Sequence, residues 1–251
     1  MERTEDPPRV AGEGDLDALL ARHGPEDARE QLPPEALEDL LTGGSTLVEA
    51  TVVVGDLRMS AYVLKEALQP SLFARFIIGF TESVRSLANS EGGWFDKFTG
   101  DGFIAFWIHR TDPSPGVTRV PEFCQTVMPA ADALISNLRR NSRNFPVGVG
   151  LSMGIDSGPC QLVRVGESLT LVGSPIVGAT RMVGGARAHQ TLVNIYLGEE
   201  LERARDQLGA EGIRVERTSV KTKEYPEGQE AFELIFPASA RVGPEGAPPA
   251  A

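Results

Sequence analysis

Cysteine and histidine are scarce in this 251-residue chain, and their scarcity removes several chemistries at once. The two cysteines, Cys124 and Cys160, have no CxxC spacing, so neither a disulfide framework nor a thiolate zinc site is indicated. The three histidines, His23, His109 and His189, are scattered and form no metal-ligand pair at helical spacing. No run of eighteen apolar residues exists, so no membrane span is expected. Met1–Arg9 is acidic and proline-containing and lacks the apolar core of a signal peptide, which makes a cytosolic protein the expectation. Positive charge is in deficit: 24 Lys and Arg stand against 35 Asp and Glu, for a formal net charge of −11. Non-specific binding to nucleic acid or to an anionic membrane is therefore not expected. A triphosphate could still bind, given metal ions or a focused cationic pocket to offset the charge.

What is present suits one folded body with ragged ends. Apolar residues make up 41% and charged residues 24%, enough for a core and too balanced for disorder. Residues 1–45 read as a leader, partly disordered, with helical patterns at Asp15–Ala21 and Pro34–Leu41 split by Gly24-Pro25 and Pro33-Pro34. Residues 46–236 form the body, and 237–251 read as a disordered tail of small residues, glycine and proline.

The body alternates. Leu47–Val54 is a β-branched run that predicts a buried strand ending at Gly55-Asp56. From Ser60 to about Ser90 the apolar period is helical, with Pro70 separating two helices. Trp94–Thr99 and Phe103–Ile108 flank Gly100-Asp101-Gly102 as a hairpin. Thr111–Gly116 reads as a loop, Glu122–Asn144 as an amphipathic helix and Val147–Ile155 as a strand. Gln161–Val165 and Ser168–Val172 read as a second hairpin, Pro175–Val183 as a helix and Thr191–Tyr196 as a strand. A helix over Gly198–Leu208 and strands over Ile213–Thr222 and Glu230–Phe236 complete the chain. The order predicts an α+β fold: a ferredoxin-like βαββαβ core with a helix and strands added at its C-terminal side. Many unrelated proteins share that core, so it does not by itself name a function.

Two aspartates carry the chemistry. Asp56 ends the first strand, just before a helix start whose amides could bind phosphate oxygens. It could hold a metal bridging those phosphates, or simply cap the helix. Asp101 sits in the hairpin KFTGDG, where ordinary turn chemistry would also explain it. In a split βαβ core, however, the two strands are neighbours, and both carboxylates could converge on two metals about 3.5–4 Å apart.

Residues 50–62 (ATVVVGDLRMSAY), 94–106 (WFDKFTGDGFIAF) and 147–182 together resemble the class III adenylate and guanylate cyclase catalytic domain, in order and spacing, over about 46–236. Gly154 to Gly158 and Gly173 to Arg181 extend the likeness. The resemblance implies two divalent metal ions, manganese or magnesium, held by Asp56, Asp101 and the Leu57 carbonyl. It implies that amides of Leu57, Arg58, Met59, Ser60 and Ala61 wrap the β- and γ-phosphates. Lys97 and Thr170 would meet the base, Arg181 would steady the α-phosphate, and Lys223, or alternatively Lys221, would hold the triphosphate. The family forms its sites between the two chains of a head-to-tail dimer, so a homodimer is implied. One position departs: Val177 stands where the family has a ribose-binding asparagine.

With DLRMS after the first strand, WFDKFTGDG, and no asparagine at Val177, the chain is most similar to the bacterial pyrimidine cyclases. That resemblance implies UTP as substrate, cyclic UMP as product and a downstream effector protein in anti-phage defence. Thr170 can donate or accept, so by itself it does not choose a base. An adenylate cyclase making cyclic AMP and a catalytically silent nucleotide-binding module are the alternatives. A diguanylate cyclase fits poorly, since KFTGDG is not a GGDEF-type hairpin.

Overall fold

The structure, a computed structural model, describes residues 13–66, 69–110 and 114–237. Residues 1–12 of the leader and 238–251 of the tail, both expected to be disordered, lie outside the described residues, as do 111–113 of the Thr111–Gly116 loop. Helices α1 (Glu13–His23), α2 (Ala28–Gln31) and α3 (Pro34–Leu41) come first. The central strand β1 (Ser45–Arg58) follows, with α4 (Ser60–Glu66), α5 (Pro70–Ser90), the hairpin β2 (Trp94–Phe98) and β3 (Gly102–Ile108), and α6 (Pro115–Arg140). Then come β4 (Gly150–Val165), β5 (Ser168–Val172), α7 (Ser174–Gly185) and β6 (Thr191–Asn194). Helices α8 (Ile195–Arg203) and α9 (Arg205–Ala210) and strands β7 (Arg214–Val220) and β8 (Gln229–Ile235) close the described chain.

The eight strands of the described residues belong to one sheet, ordered β2-β3-β1-β4-β6-β8-β7, with β5 paired to β4. Its first four strands are mutually antiparallel, which is the split βαβ arrangement expected. β6 joins β4 in parallel and extends the sheet. The fold is therefore α+β, as the order of elements predicts.

Each face of the sheet is covered. Helices α5, α6, α8 and α9 bury Phe76, Phe80, Phe103, Trp107, Phe123 and Leu201 on one side. Helices α1, α2, α3 and α7 cover the other, where Leu16, Leu20, Leu40, Val52, Trp94 and Phe106 are enclosed. Polar contacts fasten the first helices to β2: His23 Nδ1 donates to the Phe95 carbonyl at 3.0 Å, and Trp94 Nε1 donates to Gln31 Oε1 at 2.7 Å.

Several boundaries differ from the sequence reading, each for a tertiary reason. β1 does not stop at Gly55-Asp56 but runs to Arg58, because it is paired on both edges: Asp56 faces Gly102 and Ser152, and Arg58 faces Gly150. Gly55 is not a breaker; a Cβ there would overlap the Phe103 ring. β4 is one strand rather than two, since β1 pairs with it continuously from Gly150 to Val163. α6 begins at Pro115, not Glu122, and ends at Arg140, short of Asn144. Proline suits its first turn, and Pro121 and Pro129 are carried inside by a face that buries Val120, Phe123, Val127 and Ala131. β6 ends at Asn194, whose Oδ1 accepts the Ile195 amide at 2.7 Å and starts α8 where a strand was expected to Tyr196. The single helix expected over Gly198–Leu208 is divided at Ala204.

Candidate active site

The register of β1 against β3 and β4 places Asp56 at the end of the central strand, beside the β2–β3 turn that carries Asp101. That turn is as tight as it is because of its glycines. Gly100 takes a φ of +97°, and a Cβ on Gly102 would overlap the Gly55 carbonyl. Asp101 is then fixed from the β1–α4 junction: its carbonyl accepts the Leu57 amide at 3.2 Å, and its Oδ2 accepts the Ser60 hydroxyl. Met59 turns the chain there with a φ of +64°, a conformation rarely adopted by a residue with a side chain.

Asp56 and Asp101 are close enough to feel each other. Burial pushes the Asp56 carboxyl above the usual carboxylate range; Arg58 opposes this, and the Asp101 charge adds to it. Arg58 Nη1 lies 3.2 Å from Asp56 Oδ2, and its other terminal nitrogen donates to the Val183 carbonyl of α7. The Arg58 side chain therefore folds back on the carboxylate. Among the described residues no three Asp, Glu, His or Cys side chains converge to cage a metal. Two carboxylates with a nearby main-chain carbonyl nonetheless suit a hard cation that takes its other ligands from water and substrate phosphates. The β1–β3 register and the Leu57 amide bring Asp101 beside Asp56, and this convergence of two carboxylates is the observation that favours such a cation here.

A second group gathers where α7 meets the strand ends. Arg181, Lys221, Lys223 and Glu224 line a pocket of about 420 Å³. Its walls approach closely because Gly185 has no side chain; a Cβ would overlap Val220. Arg181 Nε is 3.7 Å from Glu224 Oε1, so the cationic pocket holds one internal counter-charge. Val177, one turn earlier on α7, is 49% exposed and offers no hydrogen bond.

The third group joins β2 to β5, strands that are not neighbours in the hydrogen-bonding order. Lys97 Nζ donates to Thr170 Oγ1 at 2.8 Å. Thr170 Oγ1 in turn donates to Asp96 Oδ2 at 3.0 Å, and Lys97 Nζ lies 3.6 Å from Asp96 Oδ1. Asp96 was not singled out from the sequence. Its signal was a lone carboxylate in the otherwise apolar run WFDKF, next to Lys97. Burial pushes its carboxyl upward, opposed by Lys97, the Thr170 hydroxyl and the Leu171 amide. Of the expected phosphate-wrapping amides, that of Leu57 is already engaged by Asp101, while Ala61 is exposed on the first turn of α4.

Of the histidines, His189 lines a pocket with Arg58 and Met59. His109 Nε2 lies 2.8 Å from Thr51 Oγ1, His189 Nδ1 lies 3.3 Å from Asp132 Oδ1, and both cysteines are buried. No described helix is long and apolar enough to cross a membrane.

No family model matches the sequence, and no curated protein does. Solved structures do match. The adenylyl cyclase CyaB from P. aeruginosa superposes with a TM-score of 0.63 at 18% identity, over 77% of this chain and 96% of that one. The guanylyl cyclase Cya2 gives 0.59 at 17% identity, over 77% and 94%. A class III adenylyl cyclase-like ATP-binding protein from Pseudomonas aeruginosa gives 0.56 at 16% identity, over 73% of this chain and 44% of that one. At these identities the likeness is one of architecture, and on it the chain has the fold of the class III nucleotidyl cyclase catalytic domain.

Proposed function

We propose that this protein is a nucleotidyl cyclase that converts a nucleoside triphosphate, UTP first among them, to its 3′,5′-cyclic monophosphate and pyrophosphate. The observation that carries the reading is the Asp56–Asp101 pair, two carboxylates brought together at the end of the central strand of a cyclase fold by the β1–β3 register and the Leu57 amide. In this reading Asp56 and Asp101, with the Leu57 carbonyl, hold two divalent metal ions, manganese or magnesium. The ions would supply Lewis acidity at the α-phosphate and lower the pKa of the ribose 3′-hydroxyl. The 3′-oxygen then bonds to the α-phosphorus, the bond to the bridging oxygen of pyrophosphate breaks, and the 3′-proton leaves to solvent.

The remaining roles fall to the other groups. The Met59–Ala61 amides would meet the phosphate tail, while Arg58 would have to release Asp56 as a metal arrives. Arg181 would neutralise charge developing on the α-phosphate, and Lys223, beside Lys221, would hold the triphosphate. Lys97 and Thr170 would read the base.

A homodimer with sites shared between chains belongs to the same reading. Leu47, Val165 and Val172 are exposed by 66%, 61% and 57%, and by strand register they share one face of the β1–β4–β5 arm with Thr170. An apolar strip around a site residue is what a partner chain would cover. The preference for UTP and a cyclic UMP signal read by an effector in anti-phage defence rest on the sequence resemblance alone, and a cytoplasmic location on the N-terminal sequence and the lack of a long apolar run. A silent nucleotide-binding module is the second reading, favoured by Val177.

The test is to incubate the protein with manganese and, separately, UTP, CTP, ATP and GTP, and to identify products by mass. Cyclic UMP from the wild type, and at least about a thousandfold less from Asp56→Ala, is the expected result. Cyclic AMP would keep the chemistry and remove the pyrimidine assignment. No cyclic product from any nucleotide would favour the silent module.

A further inference from the structure

Asp96 sits between the two residues proposed to read the base, and it constrains what they can offer. Its side chain is 1% exposed, whereas that of Lys97 is 50% exposed. A carboxylate placed so deeply must be held by specific partners. One partner is the Thr170 hydroxyl, whose only proton is committed to Asp96 Oδ2 at 3.0 Å. Thr170 Oγ1 also accepts one Lys97 N–H at 2.8 Å. A hydroxyl oxygen has two lone pairs, so Thr170 keeps one lone pair and no proton for anything else. Lys97, turned toward both Thr170 and Asp96 Oδ1, keeps one of its three N–H groups for a base. The ambiguity of threonine as donor or acceptor is thereby resolved by a neighbour.

We propose that Asp96 is a positioning residue for base selection: by holding the Thr170 proton it makes Thr170 an acceptor, so that the Lys97–Thr170 pair reads a carbonyl oxygen next to a ring N–H, as in uracil. The inference rests on the cyclase reading with uracil as the base. In it, Lys97 donates to a uracil carbonyl and Thr170 accepts the N3–H. Two adjacent acceptors, such as the N3 and O2 of cytosine, would leave Thr170 opposing a lone pair, and an unmatched buried polar contact is costly.

Replacing Asp96 by asparagine should invert this polarity. The Lys97 ammonium lies 3.6 Å from Oδ1, and its charge favours the asparagine oxygen on that side. The amide nitrogen then falls opposite Thr170 and donates to Oγ1. The threonine proton is released toward the base, where it suits an acceptor.

The experiment compares UTP and CTP in steady-state kinetics for wild type, Asp96→Asn, Thr170→Ser and Thr170→Val. The melting temperature of each variant is measured alongside, because Asp96 also ties β2 to β5. The wild type should cyclise UTP. Asp96→Asn should raise the CTP-to-UTP ratio of kcat/KM about tenfold, the worth of one hydrogen bond, with the change carried in KM. Thr170→Ser should keep the wild-type ratio, and Thr170→Val should lose discrimination. An unchanged ratio in a folded, active Asp96→Asn protein overturns the inference and leaves the cyclase reading intact. If Asp96→Asn does not fold, Thr170→Val decides, and a wild-type ratio there overturns it equally. A wild type that prefers another nucleotide removes the uracil assignment and this inference with it. Absence of any cyclic product fells the cyclase reading itself.

Discussion

At the scale of single residues, burial decides which side chains can react. Cys124 is fully enclosed, and burial drives its thiol far above the ordinary range; the Cys160 thiol is pushed up to about 11 by burial and by the Glu49 and Asp156 charges. At pH 8 only about one Cys160 in a thousand would be thiolate, and the thiolate is the nucleophile. Iodoacetamide at pH 8 should therefore label neither cysteine in the native protein and both after denaturation, as read by intact mass. Asp156 gives the pH prediction. It lies buried on β4 beneath α7, and burial raises its carboxyl, opposed by Asn194 and the Ser157 amide. A raised folded-state pKa means that its stabilising effect is complete below the unfolded value of 3.8. That effect is lost as pH climbs through the folded value, so the ionised group works against folding at neutral pH. Asp156→Asn should raise the melting temperature by a few degrees at pH 7, with the gain shrinking toward pH 4. A gain that stays constant with pH would sink the argument.

At the scale of elements, the first three helices close one face of the sheet. Leu16, Leu20, Ala36 and Leu40 are at most 3% exposed, packed with Val52, Trp94 and Phe106 of the sheet. Their apolar spacing was legible in the sequence, but not the surface they would meet. Leu40→Ala should cost about 2–5 kcal/mol, read as a loss of midpoint in urea denaturation, as for any buried leucine. A cost near zero would mean that the helices sit on the sheet without supporting it. Elements with a strong local pattern, such as the β2–β3 hairpin and α5, fall where their sequences place them. The misplaced boundaries are those set by partners: the β1 end held by two flanking strands, and the α6 start at a proline followed by Gly116 and Val117.

At the scale of the whole molecule, the candidate machinery is split into an acidic pair, a cationic pocket and a base-reading pair. If the active sites are shared between chains, defects in different groups should complement. Mixing equal amounts of Asp56→Ala and Arg181→Ala protein, each inactive alone, should restore about a quarter of wild-type activity, since half the dimers would be mixed and each would hold one intact site. No recovery after subunit exchange, checked with differently tagged chains, would place both residues in the same site of one chain.

The sequence by itself determined the alternation of elements, and hence the split βαβ core, because strand and helix periods are local properties of the chain. It also marked Asp56 and Asp101, because a strand end and a GDG turn are visible without coordinates, while Lys97 and Arg181 were marked only by the resemblance to the cyclase family. Only the tertiary structure decided which charges meet. Asp96 reaches Thr170, Arg58 folds onto Asp56, and Arg181 shares a pocket with Lys221 and Lys223. Each of these contacts joins residues far apart in the chain or depends on which way a side chain turns. Sheet register and glycine-permitted close approach set those distances, and neither is written in local periodicity.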